Sequence, residues 1–265
     1  VKAGGTERKA DAIAKDLLAR IVHGSIEVGA LLPKEDELAA EYGAARSVVR
    51  EAIKLLEVHK LVRPKRRLGT VALDPLASPS PDVVRALLFR DARIDLDVFS
   101  GWLEIRAVLD AQMTELAAVR RNGDDLALLS AAHERLRAAV RDPEAFGRET
   151  VAFSHVLARA THNPLFVVLA QWHGSVVADL EHVFLTIRAA AIPHVEGIGL
   201  LLECIRKRDG AQAKELVAAF HAWATPRLLA SARLANGDAP SASDGAATNH
   251  PKSKRTKRKE PRDER

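Results

Sequence analysis

Leu32-Pro33-Lys34-Glu35-Asp36-Glu37-Leu38-Ala39, followed by Gly43-Ala44-Ala45-Arg46-Ser47-Val48-Val49-Arg50-Glu51-Ala52-Ile53, reads as two short helices joined by a tight turn. On the second helix Val49, Ala52, Ile53 and Leu56 fall at i, i+3, i+4 and i+7, an apolar stripe that must be buried. Ser47, Arg50, Glu51 and Lys54 project away from that stripe, and Arg46 sits in the first turn near its edge. Leu38, Ala39 and Tyr42 supply the matching face of the first helix, and Gly43 lets the chain turn. A helix of this kind fits the major groove of a duplex, where arginine is well matched to guanine edges and phosphates.

Working outward, Leu61-Val62-Arg63 and Thr70-Val71-Ala72-Leu73 have the composition of two short strands, with Pro64-Lys65-Arg66-Arg67-Leu68-Gly69 as the turn between them. A basic hairpin beside a basic helix predicts a winged helix-turn-helix that binds double-stranded DNA. The rival reading is a helix-turn-helix that never meets nucleic acid, its arginines forming a solvated face. The coincidence of helix, turn glycine and basic wing in one short unit argues against it.

These residues resemble a known family. Ile21 to Gly24, Gly29, Leu32-Pro33, Leu38-Ala39, Gly43, Arg46, Val49-Arg50-Glu51-Ala52, Leu56-Glu57, Leu61-Val62 and Gly69-Thr70 are similar to the N-terminal domain of GntR-type bacterial transcription regulators, over residues about 7–75. The resemblance implies DNA contacts from Lys34, Arg46, Ser47, Arg50, Arg66, Arg67, Gly69 and Thr70. Three departures modify it. Lys34 and Asp36 stand where the family has serine and a DNA-contacting arginine, with Lys34 offering a substitute cation. Ala45 replaces the serine that caps the recognition helix, a loss of roughly 1 kcal/mol. Arg67 replaces the first glycine of the wing, which stiffens the turn while adding a cation. The operator is therefore expected to differ from those of relatives with the usual residues.

The 265 residues leave room for two domains, and a hydrophobic content of 47% supports proper cores. Aromatics make up only 4%, and alanine and leucine dominate, which favours helix. The single cysteine, Cys204, excludes an internal disulfide and fits a reducing cytoplasm, with a buried spectator thiol as its expected role. With neither an apolar run of transmembrane length nor a secretory signal, membrane and export readings drop out. Within the net charge of +5, residues 1–75 carry 14 basic and 11 acidic side chains (+3) and residues 76–235 carry 18 and 19 (−1). Residues 236–265 carry 8 and 5 (+3). Such a split suits a nucleic-acid module, a neutral sensing or assembly module, and a basic tail.

Asp74 to Pro81, with three prolines, reads as a linker, and residues 76–94 as linker plus lead-in helix. Beyond it, Trp102, Ile105, Leu109, Met113 and Leu116 mark one amphipathic helix, and Leu126, Leu129, His133, Leu136 and Val140 a second. Phe146, Thr150, Phe153, Leu157 and Ala160 mark a third, interrupted at Asn163-Pro164. Further helices are predicted at about 165–189, 195–207 and 211–232. The expectation is a mainly α protein, its winged head followed by an all-α bundle over 95–234.

The second half also carries a resemblance. Leu103-Glu104-Ile105-Arg106, Glu115 to Ala118, Phe153 to Leu165, and Cys204-Ile205 with Arg208-Asp209 before Ala213 look like the FCD ligand-binding domain of the FadR subfamily, over roughly 95–230. Many such domains hold a metal with one aspartate and three histidines. Anchored on Asn163 and Asp209, those four positions fall on Thr150, Ser154, Ile198 and Phe220, so no metal or other cofactor is expected. His155, His194 and His221 lie nearby and leave a shifted site open, although one residue of shift turns a helical side chain by about 100 degrees. Arg106 is the promising sensor, facing an anionic effector or else held in a salt bridge. Thr150 and Ser154 would add hydroxyls, giving an effector site of Arg106, Thr150 and Ser154 for a small organic acid or other metabolite.

Residues 236–265 read as a disordered basic tail, either an arm for DNA phosphates or a solubilising segment. Together these features predict a cytoplasmic, ligand-responsive repressor that binds a near-palindromic operator as a homodimer. Two rivals have other chemistries: a metal-dependent hydrolase using the histidines, and an architectural DNA-binding protein without an effector.

Overall fold

The computed structural model describes residues 8–78, 80–188 and 191–238, with side chains described outside 185–190. The basic tail lies almost wholly outside the described residues. The chain opens with α1 (Lys9–Val22), α2 (Glu35–Glu41) and α3 (Arg46–Val58), followed by β1 (Val62–Lys65) and β2 (Gly69–Ala72). Val49, Ala52 and Leu56 of α3 are buried with Ile13, Leu17, Leu18 and Leu38 in one core, while Ile53 is half-buried at its edge. Gly43 turns the chain between α2 and α3 with φ +54°, as its position predicted.

The wing is an antiparallel hairpin in which Val62 pairs with Ala72 and Lys65 with Gly69, so the turn is shorter than the sequence suggested. Pro64 is tolerated because β1 is an edge strand, its outer side needing no donor. On its other edge β2 is held by the segment before α2: Leu32 N–H donates to Thr70 O at 2.8 Å and Ala72 N–H to Ala30 O at 2.9 Å.

A 3-10 turn (Pro75–Ala77) leads to α4 (Pro81–Leu88), whose start is capped by the Ser80 hydroxyl, and then to a two-residue hairpin, β3 (Phe89–Arg90) with β4 (Arg93–Ile94). Val83, Ala86 and Leu87 of α4 pack into the head core, whereas Val84 and Leu88 pack into a second core with Phe99, Trp102, Val176 and Leu228. One short helix therefore buries two faces against two different bodies of the molecule.

The remaining chain is helical: α5 (Leu96–Arg120), α6 (Gly123–Ala138), α7 (Pro143–Ala160), α8 (Pro164–Asp179), α9 (Glu181–Arg188), α10 (Ala191–Lys207) and α11 (Gly210–Ala235). Asp95, Asn122, Asp142, Asn163 and Asp209 each cap a helix start through a side-chain oxygen. The single helix expected at 165–189 is two, broken at the buried Leu180. Ile105, expected inside, is 57% exposed, because α5 buries Phe99, Trp102, Leu103 and Met113 on more than one side and leaves Ile105 on the remaining strip. At the far end Asn236 clamps β4 by accepting from Ile94 N–H at 2.8 Å and donating to Ile94 O at 2.9 Å.

Candidate nucleic-acid interface and effector cavity

The start of α3 is built without a side-chain cap, since Ala45 occupies the N-cap position and offers no acceptor. Arg46, Ser47 and Arg50 are exposed along it, as are Lys34, Arg66, Arg67 and Gly69, with Thr70 half-buried in the wing. Both arginines are paired with the first turn of α2. Arg50 donates from Nε and Nη2 to Glu35 Oε2 at 3.2 and 2.7 Å, and Arg46 Nε lies 2.5 Å from Asp36 Oδ1. The Arg50 guanidinium holds the Glu35 carboxyl below its usual range. The arginines remain 59% and 68% exposed, so these are surface pairs that an incoming phosphate can displace. Asp36, standing where the resemblance implies a cation, is thus the partner of Arg46.

Lys34 is the N-cap residue of α2. Its backbone N–H donates to Glu37 Oε2 at 2.9 Å, while the ammonium, lacking a lone pair, cannot return the bond to the helix. Arg67 adopts φ +65° at the tip of the wing, the left-handed conformation that a glycine would enter more freely.

In the helical body, α5, α7, α8, α10 and α11 enclose a cavity of about 240 Å³. Arg106, Thr150 and Ser154 all line it, and so do Asp110, His173, His194 and His221. Arg106 Nε donates to Asp110 Oδ2 at 3.3 Å, one helical turn along α5, and its guanidinium lies 5.7 and 5.4 Å from the ring centres of Trp102 and Phe184. Arg106 is thus both salt-bridged and at the cavity wall. Asp110 Oδ2 also meets His221 Nε2 at 3.1 Å. Burial pushes the Asp110 carboxyl up, but His221, Arg106 and His173 together outweigh it and leave the group below its ordinary value.

The other two cavity histidines differ. Burial pushes both His173 and His194 down to about 4, so each ring is neutral near pH 7. Among the described residues, neither nitrogen of His173, nor Nδ1 of His194, has a hydrogen-bond partner. His173 stacks against Trp102 and Trp172, with ring centres 5.4 and 4.9 Å apart, and His194 against Phe146 and Phe220. His155, half-buried with an enclosed Nε2 that has no partner among the described residues, packs against Gly174 between α7 and α8 and does not line the cavity.

The metal that the FCD resemblance brings to mind does not fit these residues. The Thr150 hydroxyl donates to Phe146 O at 2.8 Å and that of Ser154 to Thr150 O at 3.2 Å, while Ile198 and Phe220 offer only hydrocarbon. Among the described residues no three histidine, cysteine or carboxylate side chains converge as ligands, the shifted trio included. Sequence reasoning missed Asp110 and His173. The Arg106/Asp110 spacing of i, i+4 was the available signal for the first, and nothing local marks the second.

A winged helix-turn-helix joined to a helical domain with an internal cavity defines the class of two-domain, DNA-binding transcription regulators. Residues 9–71 match the bacterial regulatory proteins of the gntR family and residues 102–221 match the FCD domain. The chain belongs to the GntR family, FadR subfamily, and is a regulator rather than an enzyme. It is 27% identical to the galactonate operon transcriptional repressor of Escherichia coli over 84% of this chain and 98% of that protein. Identity to the gluconate operon transcriptional repressor of Bacillus licheniformis is 25%, over 67% and 64% of the two chains. Among solved structures, Lar, which controls the agr system of Listeria monocytogenes, shares the fold with a TM-score of 0.57 at 19% identity, covering 85% and 98%. No helix among the described residues is long and apolar enough to cross a membrane.

Proposed function

We propose that the protein is a cytoplasmic repressor whose α3 enters the major groove of double-stranded DNA, with Arg46 and Arg50 as its readers and Lys34, Ser47, Arg66, Arg67, Gly69 and Thr70 placing the backbone. The observation that carries this reading is the exposure of both guanidinium groups on a helix whose opposite side buries Val49, Ala52 and Leu56. The operator is a near-palindrome bound by a homodimer, because two heads related by a twofold axis match two half-sites. Ile105 and Val108, an exposed apolar pair on α5, supply a surface for the second copy. The cavity behind Arg106, Thr150 and Ser154 receives the small-molecule effector, and its occupancy shifts the poses of the two heads.

Selection of bound genomic fragments by the full chain, followed by footprinting, tests this. A protected, near-symmetric site lost in Arg50→Ala is expected. Equal binding to random and selected DNA at moderate salt would instead mark an architectural protein.

A further inference from the structure

The cavity wall is chemically lopsided. Most of it is hydrocarbon: Leu109, Met113, Phe153, Phe166, Leu169 and Leu201 are representative. The hydroxyl protons of Thr114, Thr150 and Ser154 are engaged, since each donates to a carbonyl four residues earlier on its own helix. Ring or guanidinium nitrogens still open sit on Arg106, His173 and His194. Arg106 uses only Nε, in a long contact to Asp110, and its terminal nitrogens hold no partner among the described residues. Its Asp110 partner is shared with His221. Among the described residues His173, whose ring lies against the same Trp102 that underlies the Arg106 guanidinium, is unpartnered at both nitrogens, and His194 at Nδ1.

A guanidinium fork and an imidazole N–H facing an apolar space match two carboxylate oxygens, the fork supplying charge and direction. They suit a polyhydroxylated acid less well: the hydroxyl oxygens of Thr114, Thr150 and Ser154 and the Asp110 carboxylate can accept from some of its hydroxyls, but the rest would be buried against leucine and phenylalanine, each at a substantial cost. At about 240 Å³ the space equals roughly eight water volumes, enough for a chain or ring of comparable atom count.

We propose that the effector is an apolar-bodied monocarboxylate, bound without metal, its carboxylate on Arg106 and His173 and its hydrocarbon body along α7, α8 and α10. This rests on the reading of the cavity as the effector site and adds the ligand class to it. The thiol of Cys204 takes no part, as Cys204 does not line the cavity.

The test is a thermal-shift and calorimetric titration of the full chain with octanoate, octanol, D-gluconate and zinc ion, with and without EDTA. Octanoate is expected to raise the melting temperature equally in both buffers, and octanol and D-gluconate far less. Arg106→Gln should raise the octanoate Kd roughly 10- to 100-fold. Because that variant leaves Asp110 short of a partner, His173→Phe serves as the second. It keeps a ring against Trp102 and Trp172, removes the donors, and should weaken octanoate while leaving the melting temperature of the free protein near that of the parent. Equal binding of octanol, preference for D-gluconate, or a shift abolished by EDTA would each overturn the proposal. So would the absence of any shift with octanoate; if footprinting still showed a protected operator, only the ligand class would fall, and if it did not, the regulatory reading itself would fail.

Discussion

Arg46 and Arg50 each have two kinds of acceptor available: a carboxylate on α2 now, and a phosphate or guanine edge on a duplex. In the free head Glu35 and Asp36 occupy them, which pre-orients the guanidinium groups and lowers the positive field that draws the protein to arbitrary DNA. Since the pairs are exposed, releasing them costs little, and a bidentate guanine contact worth about 1–3 kcal/mol is retained as discrimination. Arg50→Ala should therefore abolish specific binding without loss of helicity; an intact footprint would exclude Arg50 as a reader. Asp36→Ala should do the reverse, raising affinity for random DNA and steepening the salt dependence by about 0.9 in log–log slope as Arg46 neutralises one more phosphate. An unchanged slope would mean that Asp36 does not restrain Arg46. At the wing, Arg67→Gly should stabilise the fold by about 1 kcal/mol through relief of the positive φ and weaken DNA binding through loss of a cation, two opposite changes separable by denaturation and gel shift.

At the scale of the elements, α3 starts without a cap, so Ala45→Ser should add about 1 kcal/mol to unfolding stability, measurable as a rise in denaturation midpoint with no change in slope. The cavity helices respond to acid. His173 and His194 are neutral in the fold down to about pH 4 but take a proton near 6.5 once unfolded, so stability is complete above about 6.5 and is lost as pH falls from there toward 4. By about pH 5 the loss is roughly 2 kcal/mol per histidine, and His173→Phe should flatten the slope over this window. Asp110, held below its ordinary value, adds loss only below about pH 4. These elements were legible to different degrees. The stripe of Val49, Ala52 and Leu56 announced α3 because one face is buried and the other is wet. Helix α5 hid Ile105 because it is buried on several sides, which blurs a single stripe, and the break at Leu180 has neither proline nor glycine to signal it. Arg106, Thr150 and Ser154 were readable through family spacing and do share the cavity wall. The grouping of Asp110, His173, His194 and His221 was not readable, since the four come from four helices whose packing alone brings them together.

For the whole molecule, the question is how a ligand inside the body reaches the heads, and α4 is the connecting piece, with one face in the head core and the other in the core beneath Trp102. Its Arg85 binds the body twice, pairing with the Asp179 carboxylate and donating from Nη2 to Ser175 O at 3.2 Å. Asp179 and Ser175 belong to the last turns of α8, the helix that carries His173 at the cavity wall. A ligand that moves α8 by a fraction of an ångström therefore acts directly on the anchor of α4, and α4 carries the head. On the head side, His23 Nε2 lies 3.3 Å from Phe89 O just past the end of α4, a second tie across the junction. Coupling between two sites of 1–3 kcal/mol corresponds to about a 5- to 150-fold change in operator affinity when ligand is bound. Arg85→Ala should leave ligand affinity and operator affinity, each measured alone, close to those of the parent, and reduce the ligand-induced change in operator affinity to about twofold or less. Asp179→Asn should act in the same direction and more weakly, because the Ser175 carbonyl still holds the guanidinium. An undiminished response in both variants, read by fluorescence anisotropy on a labelled operator with and without ligand, would show that the signal leaves the body by another route.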